Sequence, residues 1–356
     1  VRRREFLAAP LAAVPWVAGA QGVAYPEVVP GRRIEFPRDH GAHPDFRQEW
    51  WYVTGWLESG RNEPIGFQVT FFRARPDIAT DNPSRFTPRQ IVLAHAALAD
   101  PRQGRLEHDE RAARAALGLA GAEEGTTRVW VDDWRLALEG GAWRARIAAR
   151  TFAFDLSFAM TRRPVLNGEA GYSRKGERPG EASYYYSVPH LRVAGTLERG
   201  RAREHVQGLA WYDHEWSSRF MAPEAEGWDW TGVNLEDGGA LMAFRMRARG
   251  GATLYAGGTL VTPEGGARAL APAEVTLAPL RRWRSPRTGT EYPVAMRVRL
   301  GVREWLLEPL MDDQEMDARA STGTIYWEGA VRASEAGRPA GRGYLELTGY
   351  WRPMRL

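Results

Sequence analysis

Glu49-Trp50-Trp51-Tyr52-Val53-Thr54-Gly55-Trp56-Leu57-Glu58 returns, with a one-residue slip, as Gly227-Trp228-Asp229-Trp230-Thr231-Gly232-Val233-Asn234-Leu235-Glu236. Each copy is followed by a turn and a second apolar strand, Gly66 to Arg73 in one case and Leu241 to Arg247 in the other. The order then continues in parallel: Ala96 to Pro101 against Gly257 to Pro263, Trp134 against Trp283, Phe152 to Phe158 against Trp305 to Leu310, and Gly208 to His214 against Gly343 to Gly349. Weak similarities that keep one order along two halves of a chain are the mark of an internal duplication.

Both copies read in period two, with Gly, Pro and Asp at the breaks, which is the pattern of half-buried antiparallel strands. Strands are expected over 49–58, 64–73, 91–99, 128–139, 143–149, 151–161, 183–188, 191–198 and 206–211. One helix is expected, over the alanine-rich run from Asp109 to Leu119. The sequence thus predicts an all-β chain with little helix, built of two related antiparallel modules. Each is large enough to curl into a barrel, which removes exposed edges and can enclose an apolar ligand.

The N-terminus carries a different kind of signal. Arg3-Arg4-Glu5-Phe6-Leu7 has the form of a twin-arginine export motif, Phe6 to Val17 is apolar but short for a membrane span, and Ala18-Gly19-Ala20 offers a small-x-small cleavage site. Residues 1–20 are therefore expected to be a signal peptide, leaving 21–219 and 220–356 as the two domains of a periplasmic or secreted product. Cys 0 fits a chain that folds without disulfides in an oxidising compartment. The 48 basic residues are interleaved with 44 acids and form no block, which argues against nucleic acid as a partner; Lys175 is the single lysine. No later stretch is long enough for an integral membrane segment. Trp 15, Tyr 12 and Phe 12 supply rings enough to line a cavity.

Phe36-Pro37-Arg38-Asp39-His40-Gly41-Ala42-His43-Pro44 leading into Glu49-Trp50-Trp51-Tyr52, then Ser183-Tyr184-Tyr185-Tyr186-Ser187, Trp211-Tyr212-Asp213-His214-Glu215-Trp216-Ser217-Ser218 and Asp312-Asp313-Gln314-Glu315, resemble the AttH-like branch of the carotenoid 1,2-hydratase (hydroxyneurosporene synthase) family. The resemblance covers nearly the whole of the chain after residue 20. It implies two tandem lipocalin-like antiparallel β-barrel domains with a ligand site in or between them. It also implies an apolar isoprenoid or lipid-like ligand and, formally, a hydro-lyase that hydrates an alkene. The alternative it implies is a non-catalytic lipid carrier working with an ABC-type transporter.

The densest chemistry lies at Trp211 to Trp216. Extended, this stretch points Trp211, Asp213 and Glu215 to one face and Tyr212, His214 and Trp216 to the other. Alkene hydration needs an acid among aromatic rings in a dry cavity: the acid protonates the C=C, π faces stabilise the cation, and water captures it. His214, Trp216 and Asp213 are accordingly the candidate catalytic residues, the first two by resemblance to the His-x-Trp pair of the hydratases. Trp51, Tyr185, Tyr186, Trp211, Tyr212, Trp230 and Phe244 are the candidate ligand-binding rings. Those enzymes also carry a Tyr-x-Asp on a following strand, where Phe244-Arg245-Met246 stands here without phenol or acid. The plainer alternative makes Trp211 to Trp216 a strand end that ties one module to the other, with His214 as a satisfied hydrogen-bonding group. No metal and no cofactor is expected, since Asp213, His214 and Glu215 are adjacent on a strand and point apart. His40 and His43 with Asp39 and Asp45 read as a turn capped by its own side chains, and His95 as core. No P-loop, nucleophile elbow, zinc-protease helix or dinucleotide fingerprint occurs.

Overall fold

The computed structural model describes residues 23–60, 64–78 and 87–354; the expected signal peptide lies outside these residues. The first sheet contains β1 (Gln48–Ser59), β2 (Pro64–Ala74), β3 (Ile91–Ala99), β4 (Glu107–Arg114), β5 (Ala120–Ala122), β6 (Arg128–Val131), β7 (Trp134–Glu139), β8 (Ala142–Ala148) and β9 (Ala153–Ala159). The short β10 (Val165–Leu166) and β11 (Tyr172–Arg174) follow, then the long β12 (Ala182–Arg199) and β13 (Ala202–Ser217). The second sheet contains β14 (Ala225–Leu235), β15 (Ala240–Ala248), β16 (Thr253–Val261), β17 (Ala267–Leu270), β18 (Val275–Arg284), β19 (Glu291–Leu300), β20 (Arg303–Pro309), β21 (Glu315–Ala318), β22 (Thr324–Glu335) and β23 (Arg338–Leu347).

Both sheets are antiparallel and share one strand order. The first runs β4-β3-β2-β1-β13-β12-β9-β8-β7-β6-β5 and the second β17-β16-β15-β14-β23-β22-β20-β19-β18. Every stretch matched in the self-comparison sits at the corresponding place, β1 with β14, β2 with β15, β3 with β16, β7 with β18, β9 with β20 and β13 with β23. In the first sheet β3 and β4 come against β5 and β6, so the sheet is a nearly closed barrel. This is a tandem lipocalin-like fold. No helix of the described residues is long and apolar enough to cross a membrane.

The expected helix at 109–119 is instead the end of strand β4, up to Arg114, followed by a turn that leads into β5. β4 pairs along all of β3, from Leu98 opposite Glu107 to Ile91 opposite Arg114, and Asp109 is held by the backbone N–H and Nε of Arg150. The ladder supplies hydrogen bonds that an isolated alanine-rich turn of helix would have to make alone, so tertiary pairing overrides propensity. Two other expectations change in detail. Residues 128–139 split into the β6–β7 hairpin, with Asp132 at φ 52°, and 183–198 form one strand with a bulge between Val188 and Leu191.

Alternation along the strands creates three apolar layers. Trp51, Val53, Phe67, Val69, Tyr212 and Trp216 fill the first barrel. Val233, Leu235, Trp305, Trp327 and Leu345 fill the second module. The intervening residues of the same strands, Tyr52, Trp56, Trp211, Trp230, Phe244 and Tyr344, pack the modules back to back. Trp56 Nε1 donates to the Gly343 carbonyl at 3.0 Å and Asn234 Nδ2 to the Ala210 carbonyl at 3.1 Å across this layer. Contact is close at Gly66, where an added Cβ would lie 2.6 Å from Ala330 Cβ and 2.7 Å from Tyr344 Oη. Gly66→Ala should therefore force the modules apart and cost about 1–3 kcal/mol, the usual range for overpacking. Thermal unfolding reads this directly, and an unchanged midpoint would mean that the β2 contact can relax freely.

Candidate functional site

A cavity of about 470 Å³ lies in the layer between the modules. Period two puts it there: β1 contributes Trp50 and Tyr52, β2 Gln68, Thr70 and Phe72, β3 His95, and β13 Asp213 and Glu215, all from the outer face of the first barrel. The second module contributes Trp228 and Trp230 from β14, Phe244 and Met246 from β15, Tyr326 and Glu328 from β22, and Glu346 from β23.

The sheet register makes a pair of the last two acids. Glu328 and Glu346 are directly opposite on β22 and β23, so their side chains share one face. Glu328 Oε1 accepts a hydrogen bond from Tyr52 Oη at 2.5 Å, while its Oε2, fully buried, has no partner among the described residues. Burial first, and the neighbouring Glu346 second, push the Glu328 carboxyl well above the usual carboxylate range. Burial likewise raises Glu346 to about 8, opposed by Trp228 and reinforced by Asp213 and Glu215.

Asp213 is raised to about 7 by burial, against the hydrogen bonds it accepts. Those come from Tyr185 Oη at 2.8 Å, Ser187 Oγ at 2.5 Å and Trp211 Nε1 at 2.7 Å, so both of its oxygens are occupied. Tyr185 in turn accepts from Trp230 Nε1 at 3.0 Å. Lys175 completes the wall: its Nζ lies 2.9 Å from Glu215 and 4.1 Å from the Phe244 ring centre. Burial lowers its pKa, opposed by Glu215. His95, lowered by burial to about 3, is neutral and bonded to Tyr326 Oη and Ser321 Oγ, both at 2.8 Å. Asp213, Glu328 and Glu346 thus face the cavity with no basic partner among the described residues.

Raised carboxyl pKa values have a consequence for stability. The folded chain keeps protons that the unfolded chain has released, so these groups contribute fully below the ordinary value near 4. That contribution is lost as pH rises through about 7 for Asp213 and about 8 for Glu346. The melting temperature should fall over this window, and Glu346→Gln should flatten the fall; a parallel profile in the variant would argue against a retained proton.

A second polar centre sits inside the first barrel. Glu49 Oε1 is bonded to His43 Nδ1 at 2.7 Å and His214 Nε2 at 2.8 Å, and Glu49 Oε2 accepts from Arg73 Nε at 2.8 Å. His43 Nε2 reaches Asp39 at 3.1 Å, and its ring stacks on Trp216 at 3.8 Å. Burial would raise Glu49, but the charges of His43 and Arg73 outweigh it and hold the carboxyl well below its usual range. Burial would likewise lower His43, but Glu49 and Asp39 outweigh it and raise the imidazole. His43, Glu49 and His214 bring ligand atoms within 4.8 Å of one another, a grouping able to hold a metal ion. Arg73 already gives Glu49 a cation and His43 bridges two carboxylates, so hydrogen bonds saturate these donors.

The sequence-derived residues are therefore divided between two places. Asp213, Trp230 and Phe244 line the cavity, and Trp211 and Tyr185 stand behind Asp213. His214, Trp216, Trp51, Tyr186 and Tyr212 lie in the core of the first barrel, on the opposite face of the sheet from Asp213. Glu328, Glu346, Lys175 and Tyr52 were not among the site residues expected from the sequence. A signal existed for the two glutamates: an acid in an otherwise buried, alternating strand at Trp327-Glu328-Gly329 and Leu345-Glu346-Leu347.

The model of the AttH-like family matches residues 27–350. This chain belongs to the AttH-like family. The AttH-like chain is also similar to the crystal structure of a candidate AttH protein from Nitrosomonas europaea, at 49% identity and TM-score 0.87, over 91% of this chain and 99% of that one. The crystal structure of kievitone hydratase from Nectria haematococca shares the fold at 15% identity and TM-score 0.69, over 92% of this chain and 97% of that one. No curated protein matches the AttH-like chain by sequence.

Proposed function

We propose that this AttH-like chain binds an apolar isoprenoid or lipid-like molecule between its modules and adds water across a C=C of that ligand, as carotenoid 1,2-hydratases do. The observation that carries the reading is the Oε2 of Glu328, unpartnered among the described residues, on a carboxyl that faces an aromatic cavity and whose burial favours the protonated form. Its proton goes to the alkene carbon that leaves the more substituted cation. Trp228, Trp230 and Tyr52 offer π faces to that cation, and the carboxylate left on Glu328 is its counter-charge. Water then bonds to the cation and gives its extra proton to the Glu328–Glu346 pair, which restores the acid. Once Glu346 ionises, its charge holds the proton on Glu328 more tightly and makes it a weaker acid, so turnover should decline as pH rises through about 8.

One observation favours carriage without turnover. Phe244 and Met246 put apolar surface on the cavity wall, and the resemblance to the hydratases matches this stretch to their Tyr-x-Asp, a phenol and an acid that it lacks. On that reading the ligand is passed to an ABC-type transporter. Export by the twin-arginine route belongs to both readings, supported by Arg3-Arg4-Glu5-Phe6-Leu7 and Ala18-Gly19-Ala20. Incubation with lycopene-type or shorter prenyl alkenes in water enriched with heavy oxygen separates the two. Hydration must place one labelled hydroxyl on the product, whereas binding with no label leaves carriage.

A further inference from the structure

A second cavity of about 440 Å³ adjoins the first, and Gln48, Phe220 and Met354 line both. Its other walls are the N-terminal stretch around Tyr25 and Val28 and the connection between the two sheets from Ser218 to Ala225. Phe220 is the partition: its ring meets Trp50 edge-on at 5.2 Å and Trp228 at 5.3 Å, both walls of the inner cavity.

The two chambers differ in charge. The inner one holds Asp213, Glu328 and Glu346 without basic partners among the described residues; of its own cations, Lys175 is paired with Glu215 and Arg73 with Glu49, while the exposed Arg352 lies over the Trp351 ring at 4.3 Å. The outer one has two guanidinium groups, those of Arg47 and Arg219, against the single carboxylate of Glu27. Among the described residues neither arginine is in an ion pair. Arg47 lies over the Tyr25 ring at 5.8 Å, and Arg219 is tied through its backbone N–H to Ser217 Oγ at 3.1 Å. Elsewhere on this surface arginines are commonly paired, as Arg178 is with Glu224 and Arg303 with Glu335. Two guanidinium groups without a carboxylate partner among the described residues, beside a chamber walled by three unpaired acids and aromatic rings, attract an anionic group to the outer chamber.

We infer that the ligand is a single-chain anionic amphiphile, with its carboxylate or phosphate head between Arg47 and Arg219 and its apolar tail threaded past Phe220 into the inner cavity. The inference rests on the inner cavity taking the apolar end, as proposed above, and adds the head-group class and the direction of entry. Both arginines are exposed, so their contribution is screened and falls with salt.

Isothermal titration calorimetry with farnesoic acid, farnesyl monophosphate and methyl farnesoate tests it, using the wild-type chain and the doubly charge-reversed variant Arg47→Glu/Arg219→Glu. In the wild type at least one anion should bind about tenfold tighter than the neutral ester at low salt, and the stronger of the two identifies the head. In the variant that advantage should fall to within about threefold while the affinity of the ester stays put, which also shows that the variant is folded. Equal binding of all three in the wild type, or an advantage that survives charge reversal, overturns the inference yet leaves the inner-cavity reading standing. Failure of all three to bind overturns both.

Discussion

Glu328→Gln is expected to lower hydration by about 10²–10⁴-fold with ligand affinity changed no more than a few-fold. Glutamine keeps the shape of the side chain and can still accept the hydrogen bond from Tyr52 through its amide oxygen, now 2.5 Å from Glu328 Oε1. It cannot release a proton, and it leaves no carboxylate to balance the cation that forms. Glu346→Gln should cost less. It preserves the donor on Glu328 but removes the facing group that raises the donor's pKa and takes part in returning the proton. Asp213→Asn should act chiefly by disturbing Tyr185, Ser187 and Trp211, because both Asp213 oxygens are already committed to them. Rates measured with labelled water across pH 5–9 distinguish these roles. A Glu328→Gln chain that hydrates at the wild-type rate would remove the proton donor from the proposal, and loss of binding in parallel with rate would make Glu328 a ligand contact instead.

What could be read from the residues depended on whether the determining contact was local. The duplicated Trp-rich strand pair and the period-two pattern specify paired antiparallel strands in two related modules, and the structure has this arrangement. The alternation within Trp211 to Trp216 likewise puts Asp213 and His214 on opposite faces of the strand, as in the structure. The sequence could not say which face held the cavity, because both faces of β13 are buried, one in the barrel core and one between modules. Nor could it pair Glu328 with Tyr52, which are 276 residues apart and meet only when the modules dock. The alanine-rich strand β4 was hidden for the same reason: its partner β3 lies outside the window in which propensity is summed.

The second large effect concerns Glu49, and it decides what His214 does. Glu49→Ala should destabilise the chain by about 3–5 kcal/mol, since removing one member of a buried charged network leaves its partners without compensation. His43, His214 and Arg73 all direct hydrogen bonds to this one carboxylate, and the backbone N–H of His43 adds another at 2.9 Å. The effect should depend on pH in a definite way. Glu49 has its folded pKa depressed, so its contribution is present above the ordinary value of 4.5 and is lost as pH falls through the folded value. His43 has its folded pKa raised, so its contribution is complete below 6.5 and is lost as pH rises through the folded value. The gap between wild type and Glu49→Ala in urea unfolding should therefore be widest between about pH 4.5 and 6.5 and narrow on both sides. If this holds, His214 and Trp216 act by fixing the inner face of β13, whose outer face carries Asp213 and Glu215, and His214→Ala should lose stability along with any loss of rate. If instead Glu49→Ala and His214→Ala both unfold like wild type while hydration drops a hundredfold, the barrel interior takes part in the chemistry and the acid pair on β22 and β23 does not act alone.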